Sequence, residues 1–470
     1  MKRWSEQFRA APVASDAVWL ALFALSLRLC VVFWAWQRFP PVDDGSFYHT
    51  VADRIAHGLG YTWLWPDGAV TYAAHYPIGY PGLMAAGYAV FGSQPEVAML
   101  ENALLGALGV FAVHRLSASV GQRGPALLAG LLAALHPSLL LYTPALMTEG
   151  VTAVAFAVLA WLCLVARNRG PRFLLVLGLL AGVTVLIRPQ SLLLMPVFGA
   201  FASSAPGFAR LRSAAALTAL SLLVCLPWTL RNCHRLERCT FVSANGGWNL
   251  FIGSADKATG SWVSIDELGV PAECRTVFGE VDKDHCFGRA AVRHVLSRPG
   301  HFVALVPSKL AATFDWSGAP GHYLHASNAS VFDHQAVVRL GVAELLVQRA
   351  LLAIGLLALG LAAGPRRRAR LVLAGVALVC LLGPALLARW WLLRSAWVAH
   401  LLLVALVLAV GRDVWRRPNF AFAAGAVFVT ALTHAVFFGA GRYGLVCVLL
   451  LVPLLAEAFR RKAEPELASS

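Results

Sequence analysis

The sequence predicts an all-α polytopic membrane protein with about 12 transmembrane helices, an amphipathic first outer loop and a small mixed outer subdomain. Three observations carry this. The 470-residue chain is 59% hydrophobic and only 13% charged, where a soluble domain carries roughly 25% charged residues. Apolar runs near the ~20-residue spanning length recur along the whole chain. The net charge of +15 sits in short clusters between those runs, which is the positive-inside pattern; a nucleic-acid-binding stripe is absent, so no nucleic-acid partner is expected.

The apolar runs fall at 16–36, 95–117, 125–143, 147–166, 173–187, 190–204, 213–230, 340–363, 370–388, 395–411, 419–438 and 443–459. No small-residue cleavage site follows Met1-Lys2-Arg3, so 16–36 reads as an uncleaved first span. Arg188-Pro189 splits 173–187 from 190–204, because proline lacks an amide donor. Arg115 and Arg123, Arg167 to Arg172, Arg210 and Arg212, Arg366 to Arg370, Arg412 to Arg417 and Arg460 to Lys462 mark inside loops. Both termini are then expected in the cytoplasm. The outer face receives 37–94, the turn at Met147-Thr148-Glu149, the long segment 231–339, and small loops at 389–394 and 439–443. Three parts follow: a transmembrane module at 1–230 that includes loop 37–94, an outer subdomain at 231–339, and the transmembrane helices of 340–470.

Loop 37–94 opens on Asp43-Asp44. Phe47, Val51 and Ile55, spaced by four, predict an amphipathic helix on the membrane surface. Tyr61, Trp63 and Trp65 suit the headgroup level, and His75-Tyr76-Pro77-Ile78-Gly79-Tyr80-Pro81 is too Pro-rich for a buried helix. In 231–339, Asn245-Gly246-Gly247 signals a turn, 280–297 has helical charge spacing, and 299–314 reads as a second interfacial helix. Cys233, Cys239, Cys274 and Cys286 all fall there. Of their three pairings, Cys233–Cys239 and Cys274–Cys286 join sequence neighbours and are favoured, with free thiols the alternative; no C-x-x-C pair supports zinc.

Two adjacent carboxylates at a low-dielectric boundary cannot both ionise cheaply without a nearby cation. Asp43 and Asp44 therefore read as a base with a metal or hydrogen-bond partner, or as a helix N-cap. His75 can meet a phosphate or a metal, and Glu149 is a further outer carboxylate. Arg188, Arg231, Arg394 and Arg442 lie on the face that positive-inside statistics disfavour. Their forks suit phosphate oxygens, although each alone could snorkel to headgroups. Lys309 is another candidate cation. Arg28, inside the first span, is expected to pair with Glu101. No Gly-rich phosphate loop occurs, and no inverted repeat favours a secondary transporter.

Asp44-Gly45-Ser46-Phe47-Tyr48, Gly58-Leu59-Gly60-Tyr61, His75-Tyr76-Pro77 with Tyr80-Pro81, Thr148-Glu149 and Arg188-Pro189 occur in that order. Pro227-Trp228-Thr229-Leu230-Arg231-Asn232, Asn245-Gly246-Gly247-Trp248-Asn249-Leu250-Phe251-Ile252-Gly253 and Arg442-Tyr443 follow. Together they resemble the C-type integral-membrane glycosyltransferases, in particular bacterial relatives of the protein O-mannosyltransferases and the lipid A aminoarabinose transferase. The match is good in the N-terminal half. Farther on it is one of hydropathy and the Arg-Tyr pair.

The resemblance implies a polyprenyl-phosphate-sugar donor and a catalytic base at Asp44 with Asp43 beside it. It implies substrate contacts from Tyr48, His75, Glu149, Arg188, Arg231, Lys309, Arg442 and Tyr443. Relatives often carry an acidic or other basic residue where this chain has His75, so a divalent cation on Asp43, His75 or Glu149 is left open, and no other cofactor is expected. The expected enzyme is an inverting hexosyl- or pentosyltransferase of the bacterial inner membrane with its site facing the periplasm. It would act among membrane lipids on a lipid, polysaccharide or protein acceptor. An O-antigen ligase or polymerase, or a lipid-linked-sugar flippase, is the alternative.

Overall fold

The computed structural model describes residues 13–170, 172–315, 318–362, 366–386 and 395–460. Its principal helices are α1 (Ala14–Ala35), α2 (Asp44–Ala56), α3 (Gly79–Phe91), α4 (Pro95–Ala118), α5 (Arg123–Leu135), α6 (Thr148–Ala166), α7 (Arg172–Ile187) and α8 (Phe208–Arg235). They continue with α9 (Glu280–Ser297), α10 (Pro299–Phe314), α11 (His334–Leu361), α12 (Arg367–Leu386), α13 (Ala396–Val410) and α14 (Pro418–Val436). Seven helices among the described residues are long and apolar enough to cross a membrane: α1, α4, α6, α8, α11, α13 with the turn that follows it, and α14.

Four shorter apolar helices, Arg123–Leu135, Arg172–Ile187, Pro189–Phe201 and Gly441–Leu451, occupy other predicted spans. Proline accounts for the difference, because each one removes an amide from the helical ladder. The run 125–143 ends α5 at Leu135, and a separate turn begins at Pro137. The run 190–204 starts as a 3₁₀ turn at Pro189. The run 443–459 divides into a 3₁₀ turn and two short helices on either side of Val452-Pro453.

The loops that carry the basic clusters are tied to one another. Arg123 donates two hydrogen bonds to the Asp16 carboxylate, at 2.7 and 2.8 Å. The Arg167 guanidinium donates to the Phe201 carbonyl, Arg210 stacks over Trp415, and Asn419 donates to Leu116 O and Glu457. They form one face of the bundle. Helix α6 runs from Glu149 at one end to Arg167, just past its other end, so Glu149 belongs to the opposite face.

Helix α2 forms as its four-residue spacing predicts, but it is covered by protein. Tyr48, Val51 and Ala52 are buried, and Phe47 stacks on Trp63. Gly45 permits the close approach: a Cβ there would stand 2.8 Å from the Tyr323 hydroxyl and 3.1 Å from Leu146 O. The aromatic stretch after α2 is a two-stranded antiparallel hairpin, β1 (Thr62–Leu64) with β2 (Val70–Tyr72), turned at Gly68 with φ +85°.

Segment 231–339 was expected to be mixed. Its described residues are helices and loops, with a single isolated bridge from Ser261 to Gly439. The paired strands lie instead in loop 37–94, where alternating Thr-Trp-Leu and Val-Thr-Tyr suit a pleat. Helices α9 and α10 fall where expected, and Asn245-Gly246-Gly247 opens a short helix, Gly246–Ile252. A Cβ on Gly247 would stand 2.0 Å from Asp284 O, so this helix packs directly on α9. Disulfides join Cys233 to Cys239 and Cys274 to Cys286.

Arg28 does not pair with Glu101. Its guanidinium lies against Gly106 and donates to Ala24 O, whereas Glu101 lies against Gly87. Small residues at both positions let the two long side chains settle on different neighbours.

Candidate active site

At the face opposite the basic loops, the ends of several helices surround a cleft of about 530 Å³. Asp44 reaches it from the first turn of α2 and Glu149 from the first turn of α6. Arg188 enters where Pro189 stops α7. Arg442 and Tyr443 enter from the 3₁₀ turn Gly441–Cys447. Helices start and stop here, which leaves Asp44 and Arg442 part-exposed at the rim with Glu149 buried behind them.

Four charges alternate along one wall. An Arg442 guanidinium nitrogen donates to Asp44 Oδ2 at 2.6 Å, and its Nε lies 3.6 Å from Glu149 Oε1. The same Glu149 oxygen is 3.2 Å from Arg188, and Tyr142 donates to Glu149 Oε2 at 3.1 Å. Glu149 is only 2% exposed; two guanidiniums and a phenol satisfy its buried charge, as such a group requires. Tyr443 stacks on His434 and lies beneath both arginines.

Tyr76 completes the surroundings of Asp44. Its hydroxyl donates to Asp44 Oδ1 at 2.6 Å. Burial opposes ionisation of Asp44, but the Arg442 charge and the Tyr76 bond outweigh it and hold the carboxyl below its usual range. Burial, with Asp44 beside it, pushes the Tyr76 phenol well up, so it stays a donor. Burial pushes the His75 imidazole down against the charges of Asp284 and Asp44, so it is neutral near pH 7. His75 and Tyr48 line the same cleft.

Three expected site residues lie elsewhere. Asp43 adopts φ 51°, is half exposed, and faces His322 at 3.7 Å rather than the cleft. Arg231 spends its fork on two carbonyls, Ala73 O at 2.8 Å and Tyr61 O at 2.7 Å, and so fastens loop 37–94 to α8. Lys309 is fully buried and donates to Ala435 O and Val436 O at the end of α14. Such carbonyls lack partners within the helix and attract a cation. Burial pushes the Lys309 amine down to about 8. Arg394 lies outside the described residues.

Tyr76 was not singled out by sequence reasoning. Its signal was its place between His75 and Pro77, where a proline fixes the turn that aims both rings. The expected cation set, Asp43, His75 and Glu149, does not assemble: Asp43 faces outward and Glu149 is taken by Arg188, Arg442 and Tyr142. Among the described residues no three His, Cys, Asp or Glu side chains group as metal ligands. These residues do not fit a metal centre, and no chemical step is routed through one.

Part of the cleft, including the His75-Tyr76-Pro77 turn, Glu149 and Arg188, lies within one recognisable stretch, whereas Asp44 and Arg442 lie outside it. Residues 75–230 match the model of the dolichyl-phosphate-mannose-protein mannosyltransferase family. The chain is also similar to two solved membrane proteins. One is the Archaeoglobus fulgidus oligosaccharyltransferase tethered to an acceptor peptide, at 14% identity and TM-score 0.47, over 94% of this chain and 49% of that one. The other is ArnT from Cupriavidus metallidurans bound to undecaprenyl phosphate, at 16% identity and TM-score 0.39, over 94% and 78%. The chain thus spans about half the length of the archaeal enzyme. No curated protein matches it.

Proposed function

We propose that this protein is an inverting glycosyltransferase that moves a sugar from a polyprenyl-phosphate donor to a hydroxyl acceptor at the outer face of the membrane. One observation carries the reading. An ionised carboxylate, Asp44, and two guanidiniums, Arg188 and Arg442, share one wall of a cleft whose other lining includes Leu193, Leu432, Val436, Phe437 and Phe438. The charged wall suits a phosphate and a reacting alcohol, and the apolar wall suits an isoprenoid chain. The mannosyltransferase-family match supports the same donor class.

In this mechanism the acceptor oxygen attacks the anomeric carbon from the face opposite the phosphate. The carbon–oxygen bond to phosphate breaks, and its electron pair leaves with the lipid phosphate. Arg188 and Arg442 receive that charge. Asp44 takes the acceptor proton. Because its carboxyl is held low, Asp44 is a weak base, and proton transfer accompanies bond formation, when the alcohol is most acidic. Position on the face opposite the basic loops supports a periplasmic site in a bacterial inner membrane.

Mass spectrometry of envelope lipids and glycans, with and without the protein, identifies the sugar and the acceptor. Complementation with Asp44→Asn tests the mechanism. The glycosylated product is expected to disappear while the protein still inserts, and product at the wild-type level would refute the reading.

A further inference from the structure

The turn that aims His75 and Tyr76 is held by an acid some two hundred residues away. Glu280, the first residue of α9, accepts through one carboxylate oxygen from two successive amides, Ala74 N at 2.5 Å and His75 N at 3.0 Å. The neighbouring carbonyls are also occupied: Ala73 O by Arg231 at 2.8 Å and Ala74 O by Ala244 N at 2.7 Å. One turn along α9, Asp284 accepts from Trp248 N at 2.8 Å, and the Trp248 ring packs edge-on to His75. The Cys274–Cys286 bridge spans Glu280 and Asp284 and ties the approach of the chain back to the helix.

An acid in the first turn of a helix is favourable for the dipole alone, and a solvated side chain would serve that purpose. Glu280 instead gives up water to bind two amides of a distant loop. Without it those amides would stand unpaired in a partly buried turn, and Tyr76 would lose the backbone that places its hydroxyl 2.6 Å from Asp44.

We propose that Glu280 is a positioning residue for the transfer reaction, holding the Ala74–His75 backbone so that Tyr76 stays hydrogen-bonded to Asp44. This rests on the glycosyltransferase reading of the cleft. Glu280 touches neither donor nor acceptor; it acts through Tyr76.

The test uses the protein in proteoliposomes supplied with an extract of membranes from a host lacking it, as the source of both polyprenyl-phosphate sugar and acceptor, and measures release of free polyprenyl phosphate. Glu280→Ala is expected to lower kcat by up to about 10²-fold, the scale of an ångström-sized misplacement, with donor KM little changed. Its acid limb is expected to move to higher pH, because Asp44 loses a bond that favours its ionised form. Glu280→Gln keeps a carbonyl oxygen and is expected to restore most of the turnover and the original limb.

In a Tyr76→Phe background, Glu280→Ala is expected to cost little more, since the two act in series. If Glu280→Ala does not accumulate, Glu280→Asp, too short to reach both amides, replaces it in the same cycle. Independent, multiplicative losses, or a Glu280 variant with wild-type kcat and acid limb, would overturn the proposal. Wild-type release by Asp44→Asn would instead overturn the glycosyltransferase reading itself, and inert Asp44→Asn beside wild-type Glu280→Ala would remove only the role of Glu280.

Discussion

Replacing Arg442 with glutamine separates the electrostatic demands on the cleft. In the intact protein two acids and two guanidiniums balance, and Arg442 touches both acids, Asp44 at 2.6 Å and Glu149 at 3.6 Å. Its side chain is 26% exposed, so solvent screens the pair only in part. Removing one partner of a buried ion pair costs about 3–5 kcal/mol; at this half-open rim the lower end applies, because Arg188 still neutralises Glu149 at 3.2 Å. In the proposed reaction the same guanidinium meets the departing phosphate, and deleting one such donor costs roughly 10²–10³ in kcat. Arg442→Gln is therefore expected to lower both thermal stability and turnover. Adding Glu149→Gln removes the surplus negative charge and should recover much of the stability, while turnover stays low because the phosphate still lacks its cation. The assays are thermal unfolding in detergent and polyprenyl phosphate release from proteoliposomes. Arg442→Gln turnover within about fivefold of wild type, or recovery of turnover along with stability in the double variant, would refute the assignment of Arg442 to the leaving group.

Tyr76→Phe is expected to lower turnover by about tenfold or more and to raise the acid limb. The sign follows from Asp44: its folded-state carboxyl is held below the ordinary range, so the stability of the Asp44–Arg442 pair is complete above that range and is lost as pH falls through the lowered value. A pH–rate profile of Tyr76→Phe with an unmoved limb would contradict this. Arg231→Ala is expected to act on structure, since its fork hydrogen-bonds carbonyls and Asn232 and lies over the Trp228 ring. Unfolding should ease by about 1–3 kcal/mol and donor KM should hold, and a large KM rise at unchanged stability would return Arg231 to the site. Lys309→Met should likewise lower thermal stability with little effect on donor KM, as measured by the same two assays.

Residues whose use depends on where helices stop were the legible ones. Proline after Arg188, the acidic first turns at Asp44 and Glu149, and the outer-face Arg442-Tyr443 pair each mark a helix end on one side of the bundle, and the structure brings these ends together. Arg231 and Lys309 carried the same signal, but their targets are carbonyls of distant segments, Tyr61, Ala73, Ala435 and Val436. Charge and position in the chain do not reveal whether a cation faces a cavity or a helix terminus. Asp43 and Asp44 differ by one residue, yet one backbone rotation at Asp43 sends their side chains apart. Helix α2 was evident from its spacing; that protein rather than lipid covers it depends on Gly45, Tyr323 and Leu146 meeting across the fold. The span count was read from composition, which does not register interruptions such as Pro137 and Pro453.

Asp44 and Arg442, in direct contact, are 398 positions apart in the chain. A ribosome adds 398 residues after Asp44 before it reaches Arg442. Until the segment that bears Arg442 has been added, the early carboxylate lacks this counter-charge and the pocket lacks the lining that Leu432 to Tyr443 supply. A chain that stops short of Arg442 is expected to leave Asp44 without its guanidinium, however well the earlier helices pack.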